Sequence, residues 1–147
     1  MKKLRLIAVG RMKERYFADA VDEYAKRIGR FADFSVCEVR ESRSENVEEE
    51  ADALIKALKG YVFLFDIGGV QLSSKQFADK ISDAMTANDC LSFVIGSSRG
   101  VSQRIRAAAD CTVSFGNATF PHQLFRVMAA EQIYRALTIA NNLPYHK

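Results

Sequence analysis

The sequence predicts a three-layer α/β domain, with a mainly parallel sheet covered by helices on both faces. Three observations predict it. Strand-like and helix-like segments alternate along the whole chain. The strands are apolar runs, as in YVFLFD at 61–66, which suits strands buried on both faces. The length of 147 residues is enough for one domain with a real core and too short for two, so residues 1–147 are read as a single domain.

Leu4–Val9 reads as the first strand. Phe17, Ala20, Val21, Tyr24 and Ile28 recur at helical spacing and mark an amphipathic helix ended by Gly29. Phe34–Val39 is a second strand. The stretch ESRSENVEEE, Glu41 to Glu50, is charged and turn-like, the nearest thing to a linker. It runs into a helix carrying Val47, Ala51, Leu54, Ile55 and Leu58, whose early glutamates favour a helix N-terminus. Tyr61–Asp66 is a third strand. Ser73 or Ser74 caps a helix with Phe77, Ile81, Ala84 and Met85 on one face. Leu91–Ile95 is a fourth strand, followed by a short helix around Ser102–Ala109. Cys111–Phe115 is a fifth, and a long last helix runs from near Pro121 to about Asn141.

In the last helix, Phe125, Ala129, Ile133, Ala136, Leu137 and Ala140 form a stripe that would cover the sheet. Leu124, Val127, Met128, Tyr134 and Ile139 fall outside it. A helix apolar around most of its circumference wants a second surface, and a second subunit is the reading favoured over a neighbouring helix of the same chain.

Apolar residues make up 48% and charged residues 27%, the balance of a soluble globular protein. No apolar run approaches the roughly 20 residues that span a bilayer. MKKLRLIAVG alternates apolar and charged residues and lacks a small-residue cleavage site, so it reads as a strand rather than a signal peptide. Cys37, Cys90 and Cys111 are widely spaced, with no C-x-x-C pair and no histidine at ligand spacing. They read as buried reduced thiols of a cytoplasmic protein without a metal. Residues 1–88 hold 15 basic and 15 acidic side chains, whereas residues 89–147 hold six against three, so the whole excess of +3 lies late in the chain. That asymmetry is compatible with a phosphate-bearing partner near the C-terminal half.

Ligands of open parallel sheets bind beyond the carboxyl ends of the strands. This directs attention to Gly10, Asp66–Gly69, Gly96–Gly100 and Gly116–Pro121. Gly96-Ser97-Ser98-Arg99-Gly100 satisfies G-x-S-x-G, the pattern that presents a nucleophilic serine in many hydrolases. Asp110 with His122 or His146 would supply the order of a triad, although Asp110 precedes a late strand instead of following one. The competing reading makes the same loop the floor of a ligand pocket. Neither G-x-x-x-x-G-K-[ST] nor G-x-G-x-x-G occurs, which disfavours phosphate-cradling NTPases and conventional dinucleotide folds. Arg126, on the apolar stripe, either pairs with a buried carboxylate or points into a site beyond the helix end. Tyr145-His146-Lys147 combines an aromatic, a titratable group and a cation, or is simply a frayed terminus.

The stretches FPHQLFRVMAAEQIYRA and PYHK at the C-terminus, KLRLIAVGRMKERYFADAVDEYAKRIGRF at the N-terminus and FVIGSSRGV between them resemble the large-subunit ribosomal RNA methyltransferase H family of the SPOUT superfamily. The resemblance covers essentially the whole chain. It implies an α/β domain with a deep C-terminal trefoil knot, working as a homodimer. It implies methyl transfer from S-adenosylmethionine to N3 of a pseudouridine in 23S ribosomal RNA, and the small amount of basic surface predicts that the chain reads an assembled ribosomal surface rather than naked RNA. Carried over by position, the cofactor contacts fall at Phe65, Gly96, Phe115, Gly116, Asn117, Ala118, Thr119 and Phe120. Arg126, Tyr145 and His146 are the catalytic candidates at the nucleotide end. His146 is a proton acceptor or substrate orienter, and Arg126 a ligand of phosphate or of a base carbonyl. Because the last helix forms the interface, the tail of one subunit is expected to complete the site of the other. Two positions depart from the family: Ser97 stands where a second glycine is usual, and Arg99 where an acidic or polar residue is common. Two further readings remain beside this one, a serine hydrolase built on Ser98 and a ribosome-binding module without activity.

Overall fold

The structure is a computed structural model describing residues 1–147. The elements are β1 (Lys3–Val9), α1 (Arg15–Ile28), β2 (Asp33–Val39), α2 (Val47–Ala57), β3 (Tyr61–Gln71), α3 (Ser74–Ala87), β4 (Cys90–Ile95), α4 (Gln103–Ala108), β5 (Cys111–Ser114) and α5 (His122–Ala140). The strands form one sheet in the order β2-β1-β4-β3-β5, and every pairing is parallel.

Alternate residues of the central strands feed two separate cores, as the two-residue period of a strand requires. Leu4, Leu6 and Ala8 of β1, Phe63 and Phe65 of β3, and Leu91, Phe93 and Ile95 of β4 pack under α1, α3 and α5. Ile7 and Val9, Val62 and Leu64, and Val94 face the opposite side, under α2 and α4. Phe63 and Phe93 stack at 5.0 Å in the centre of the larger core, with Phe77 of α3 edge-on to Phe63 at 5.8 Å.

Local chemistry explains the helix starts. The Ser73 hydroxyl accepts the Gln76 N–H while the Gln76 side chain accepts the Ser73 N–H, a reciprocal cap that satisfies two otherwise orphaned donors. The Asn46 side chain accepts the Glu48 N–H at the start of α2, and Ser102 caps α4 by accepting the Arg104 N–H.

Two expectations change. β3 does not end at Asp66 but runs to Gln71. It pairs with β5 on both sides of a register shift between Phe65 and Val70, so Asp66–Gly69 is a bulge within a strand and not a loop after it. Gly69 makes this possible, because a Cβ there would lie 2.6 Å from the Thr112 backbone of β5. The three cysteines are free and only partly buried, since they lie at strand beginnings and on the edge strand β2.

The Glu41–Glu50 stretch is not a slack linker. Glu50 is buried, accepts the Ser42 N–H at 3.0 Å and pairs with Arg99 at 3.3 Å. Arg99 also lies 3.5 Å from both Glu41 and Glu45. Arg104 binds Glu48 and Asp52, Arg106 faces Asp66, and Arg135 pairs with Glu131. The late excess of positive charge is thus met largely by carboxylates, most of them from the first half of the chain. The sequence asymmetry does not survive as a C-terminal basic face.

Candidate functional site

A cavity of about 290 Å³ opens at the carboxyl edge of the sheet. Three chain segments build its walls: the bulge of β3, the Gly96–Val101 turn after β4, and the Phe115–Phe120 segment after β5. That last segment leaves the β5 edge and crosses the carboxyl ends of β3 and β4. It ends where the His122 ring donates Nε2–H to the Val9 carbonyl of β1 at 3.2 Å.

Phe65, Gly96, Phe115, Gly116, Ala118, Thr119 and Phe120 all line this cavity, and Asn117 alone of the expected cofactor contacts does not. Phe65, Phe115 and Phe125 form an aromatic corner: Phe65–Phe115 centroids lie 5.1 Å apart, Phe115–Phe125 5.1 Å and Phe65–Phe125 5.7 Å. Ile67, Ile95, Val101 and Val113 complete the apolar lining, and Asp66, Ser97, Ser98 and Ser114 add polar groups. At Gly96 a Cβ would come within 2.3 Å of Val101 and 2.8 Å of the Gly100 carbonyl, so the turn closes only on glycine. Ser97 fits its place, because its hydroxyl accepts the Arg99 N–H at 3.3 Å and its carbonyl accepts the Gly100 N–H at 2.9 Å. Arg99 is turned back to Glu41, Glu45 and Glu50, so it is a counter-ion for buried Glu50 rather than an outward RNA contact.

Arg126 is nearer the first of its two readings, with the difference that its carboxylate partner, Glu38, is exposed rather than buried. Its side chain is 1% exposed. Nη1 donates to Glu38 at 2.6 Å, and Nη2 donates to the Val9 and Gly10 carbonyls at 2.8 and 2.7 Å. The same Glu38 oxygen accepts the Met12 N–H at 2.8 Å. Arg126 therefore ties the start of α5 to the end of β1 and is not part of the cavity lining.

Tyr145 and His146 fold back on the other half of α5. Tyr145 packs edge-on against Tyr134 at 4.6 Å, and the Arg135 guanidinium lies 4.8 Å from its ring centroid. Burial, with Tyr24 beside it, pushes the Tyr145 phenol up to about 12, so at neutral pH it is a hydrogen-bond donor and no base. Arg135 Nη1 donates to His146 Nδ1 at 3.0 Å. Tyr134 and Arg135 lie 12 and 13 residues beyond His122, roughly 18 Å along the helix. One chain therefore does not bring its own tail to its own cavity.

His122 is the residue the sequence reading undervalued. It lines the cavity, is partly buried, and by donating from Nε2 leaves Nδ1 free as an acceptor. Burial, and then the Arg126 charge, lowers its pKa below the ordinary value, so the ring is neutral at pH 7. Its proximity to β1 arises from a chain crossing that local pattern does not encode.

The hydrolase reading does not stand. The Asp110 carboxylate accepts the Val62 N–H at 2.8 Å, at the amino end of the sheet and across the domain from Ser98. The Ser98 hydroxyl makes no hydrogen bond to either histidine: His146 is held by Arg135, and His122 bonds through Nε2 to the Val9 carbonyl with no carboxylate on its ring to orient it.

An all-parallel sheet of this order, with its cavity made by the loops after the late strands, is the frame of an α/β methyltransferase of the SPOUT type. The family model described as "Predicted SPOUT methyltransferase" matches residues 2–146, and the chain belongs to that family. Within it the chain is similar to proteins named Ribosomal RNA large subunit methyltransferase H. The relative from Caldicellulosiruptor saccharolyticus is 41% identical, covering 98% of this chain and 99% of the relative. That from Limosilactobacillus reuteri (strain DSM 20016) is 40% identical with the same coverage. In fold the chain resembles the SpoU methyltransferase AviRb from Streptomyces viridochromogenes, solved in complex with AdoMet, at TM-score 0.53 and 15% identity, over 97% of this chain and 60% of that one. It also resembles a probable methylase family protein from Haemophilus influenzae Rd KW20, at TM-score 0.54 and 12% identity, over 99% and 70%.

Proposed function

We propose that this protein methylates N3 of a pseudouridine in 23S ribosomal RNA, using S-adenosylmethionine, as a cytoplasmic homodimer. The observation that carries the reading is the meeting of the backbone segments after β3, β4 and β5 in one aromatic-walled cavity, in a chain of this family. The substrate class follows from the near full-length similarity to relatives named for large-subunit ribosomal RNA methylation.

The cavity residues suit the cofactor. The Phe65–Phe115–Phe125 corner offers flat apolar surface to an adenine, and the segments at Gly96–Gly100 and Gly116–Phe120 bring backbone N–H and C=O groups to the cavity. When bound, the sulfonium supplies an already activated methyl group. The protein's part is to hold the acceptor in line and to exclude competing water.

Tyr145 and His146 serve a cavity only from a second copy, as donor and orienter at the nucleotide. The partly covered apolar residues Leu124, Val127 and Met128 on α5 give that copy a surface. Arg126 acts here as a positioning residue through the β1–α1 loop and not as a ligand of the nucleotide. The path of residues 115–121 across the strand ends agrees with the trefoil knot implied by the resemblance. No helix is long and apolar enough to cross a membrane.

The test is methyl transfer from labelled cofactor to ribosomes lacking the modification, with the product nucleoside identified by mass spectrometry. The expected product is N3-methylpseudouridine. Label on another nucleotide would refute the stated position, and absence of both cofactor binding and transfer would refute the enzyme.

A further inference from the structure

A second, smaller cleft of about 150 Å³ lies against the cofactor cavity and shares Ser97, Ser98 and His122 with it. Its outer wall is the β1–α1 loop, with Arg11 and Lys13, and its floor includes Gln123 of α5. Three features make it a built surface. The loop is held in place: the Gln123 side chain accepts the Lys13 and Glu14 N–H groups at 2.9 and 3.2 Å, and Glu38 accepts the Met12 N–H. The clamp on that loop is Arg126, which binds Glu38 and the Val9 and Gly10 carbonyls. And Arg11 and Lys13, both exposed, have no carboxylate partner, whereas the later arginines 99, 104, 106, 126 and 135 are all paired. The one acidic residue in the cleft, Glu41, lies 3.5 Å from Arg99.

We propose that this cleft is an anion subsite which holds a backbone phosphate of the acceptor RNA through Arg11 and Lys13, delivering the target nucleotide across Ser98 and His122 to the cofactor cavity. The inference rests on the methyltransferase reading of that cavity. Its chemistry is simple. Two unneutralised cations on a rigid loop give a phosphate a fixed position, and phosphate contacts set register without reading sequence. His122 is uncharged at neutral pH, so the cleft's positive charge comes from those two side chains. The main cavity is walled largely by apolar groups and has no cation of its own, which leaves the phosphate to its neighbour.

The experiment compares the full-length protein with the double variant Arg11→Gln/Lys13→Gln and with Lys75→Gln/Lys80→Gln. The latter removes the same charge from the exposed face of α3, away from the cleft. Methyl transfer to unmodified ribosomes is measured across a salt series, and S-adenosylmethionine binding by calorimetry. For the cleft variant, KM for ribosomes should rise about tenfold. The slope of log KM against log salt should fall by about 0.7, the loss of one single-strand phosphate contact. Cofactor affinity should stay at the wild-type value, and the α3 variant should match wild type throughout. Unchanged KM and slope in the cleft variant, or equal losses in both variants, would overturn the subsite while leaving the methyltransferase intact. A wild-type protein that binds no cofactor would instead overturn the reading beneath it.

Discussion

Replacing Arg126 by methionine removes three donated hydrogen bonds from a side chain almost without contact with solvent. It also leaves the Val9 and Gly10 carbonyls and the Glu38 carboxylate short of a partner. Charged hydrogen bonds of this kind are worth about 1.5–3 kcal/mol each in net terms, and Glu38, being partly exposed, recovers some solvation. The expected loss is about 3 kcal/mol, read as a lower urea midpoint at unchanged m-value, with cofactor affinity reduced only in proportion to unfolding. Full stability with abolished methyl transfer would instead place Arg126 on the substrate. The two readings of this residue were indistinguishable in sequence, because a lone arginine on an apolar stripe carries no record of what faces it. Glu38 is 88 residues away and reaches Arg126 only through the packing of α5 beside β1 and β2.

Among the elements, the bulged β3 matters most to the cavity. Its apolar half was legible from YVFLFD. Its second half, IGGVQ, has no strand signature and is strand only because β5 offers a partner after the register shift. Gly69 is the tight point. An alanine there would set a Cβ 2.6 Å from main-chain atoms of Thr112, which cannot rotate away. Gly69→Ala is expected to destabilise the fold by about 2–4 kcal/mol, since relief requires the β3–β5 ladder to part. Hydrogen exchange should show protection lost at Val113 and Ser114 before β1 or β4. Wild-type protection along β5 in the variant would refute this account of the bulge. The charged stretch 41–50 shows the same dependence on partners: its composition reads as linker, yet Arg99 and Arg104 hold it from another part of the chain.

For the whole molecule the decisive quantity is the separation of the tail from the cavity of the same chain, roughly 18 Å along α5. A shared site between two copies predicts complementation. Ala118→Trp should fill one subunit's cavity, and deletion of residues 145–147 should remove the other's tail. Each variant alone should be inactive. Random mixing of subunits makes half the dimers hybrid, each with one complete site, so activity should return to about a quarter of wild type. Confirmed hybrid dimers without activity would sink the shared site.

What the sequence determined by itself was the α/β class, the order of ten elements, and most of the strand-end segments that come together around one cavity. These follow from local periodicity, apolar runs and glycine-punctuated bends, all carried by neighbouring residues. Only the tertiary structure decided that Asp66–Gly69 pairs as a bulge and that the late arginines are neutralised. The same holds for His122, which reaches β1, and for Arg11 and Lys13, which keep their charge open beside the cavity. Each of these depends on contacts between residues tens of positions apart, and such contacts are set by how helices and strands pack rather than by any local pattern in the chain.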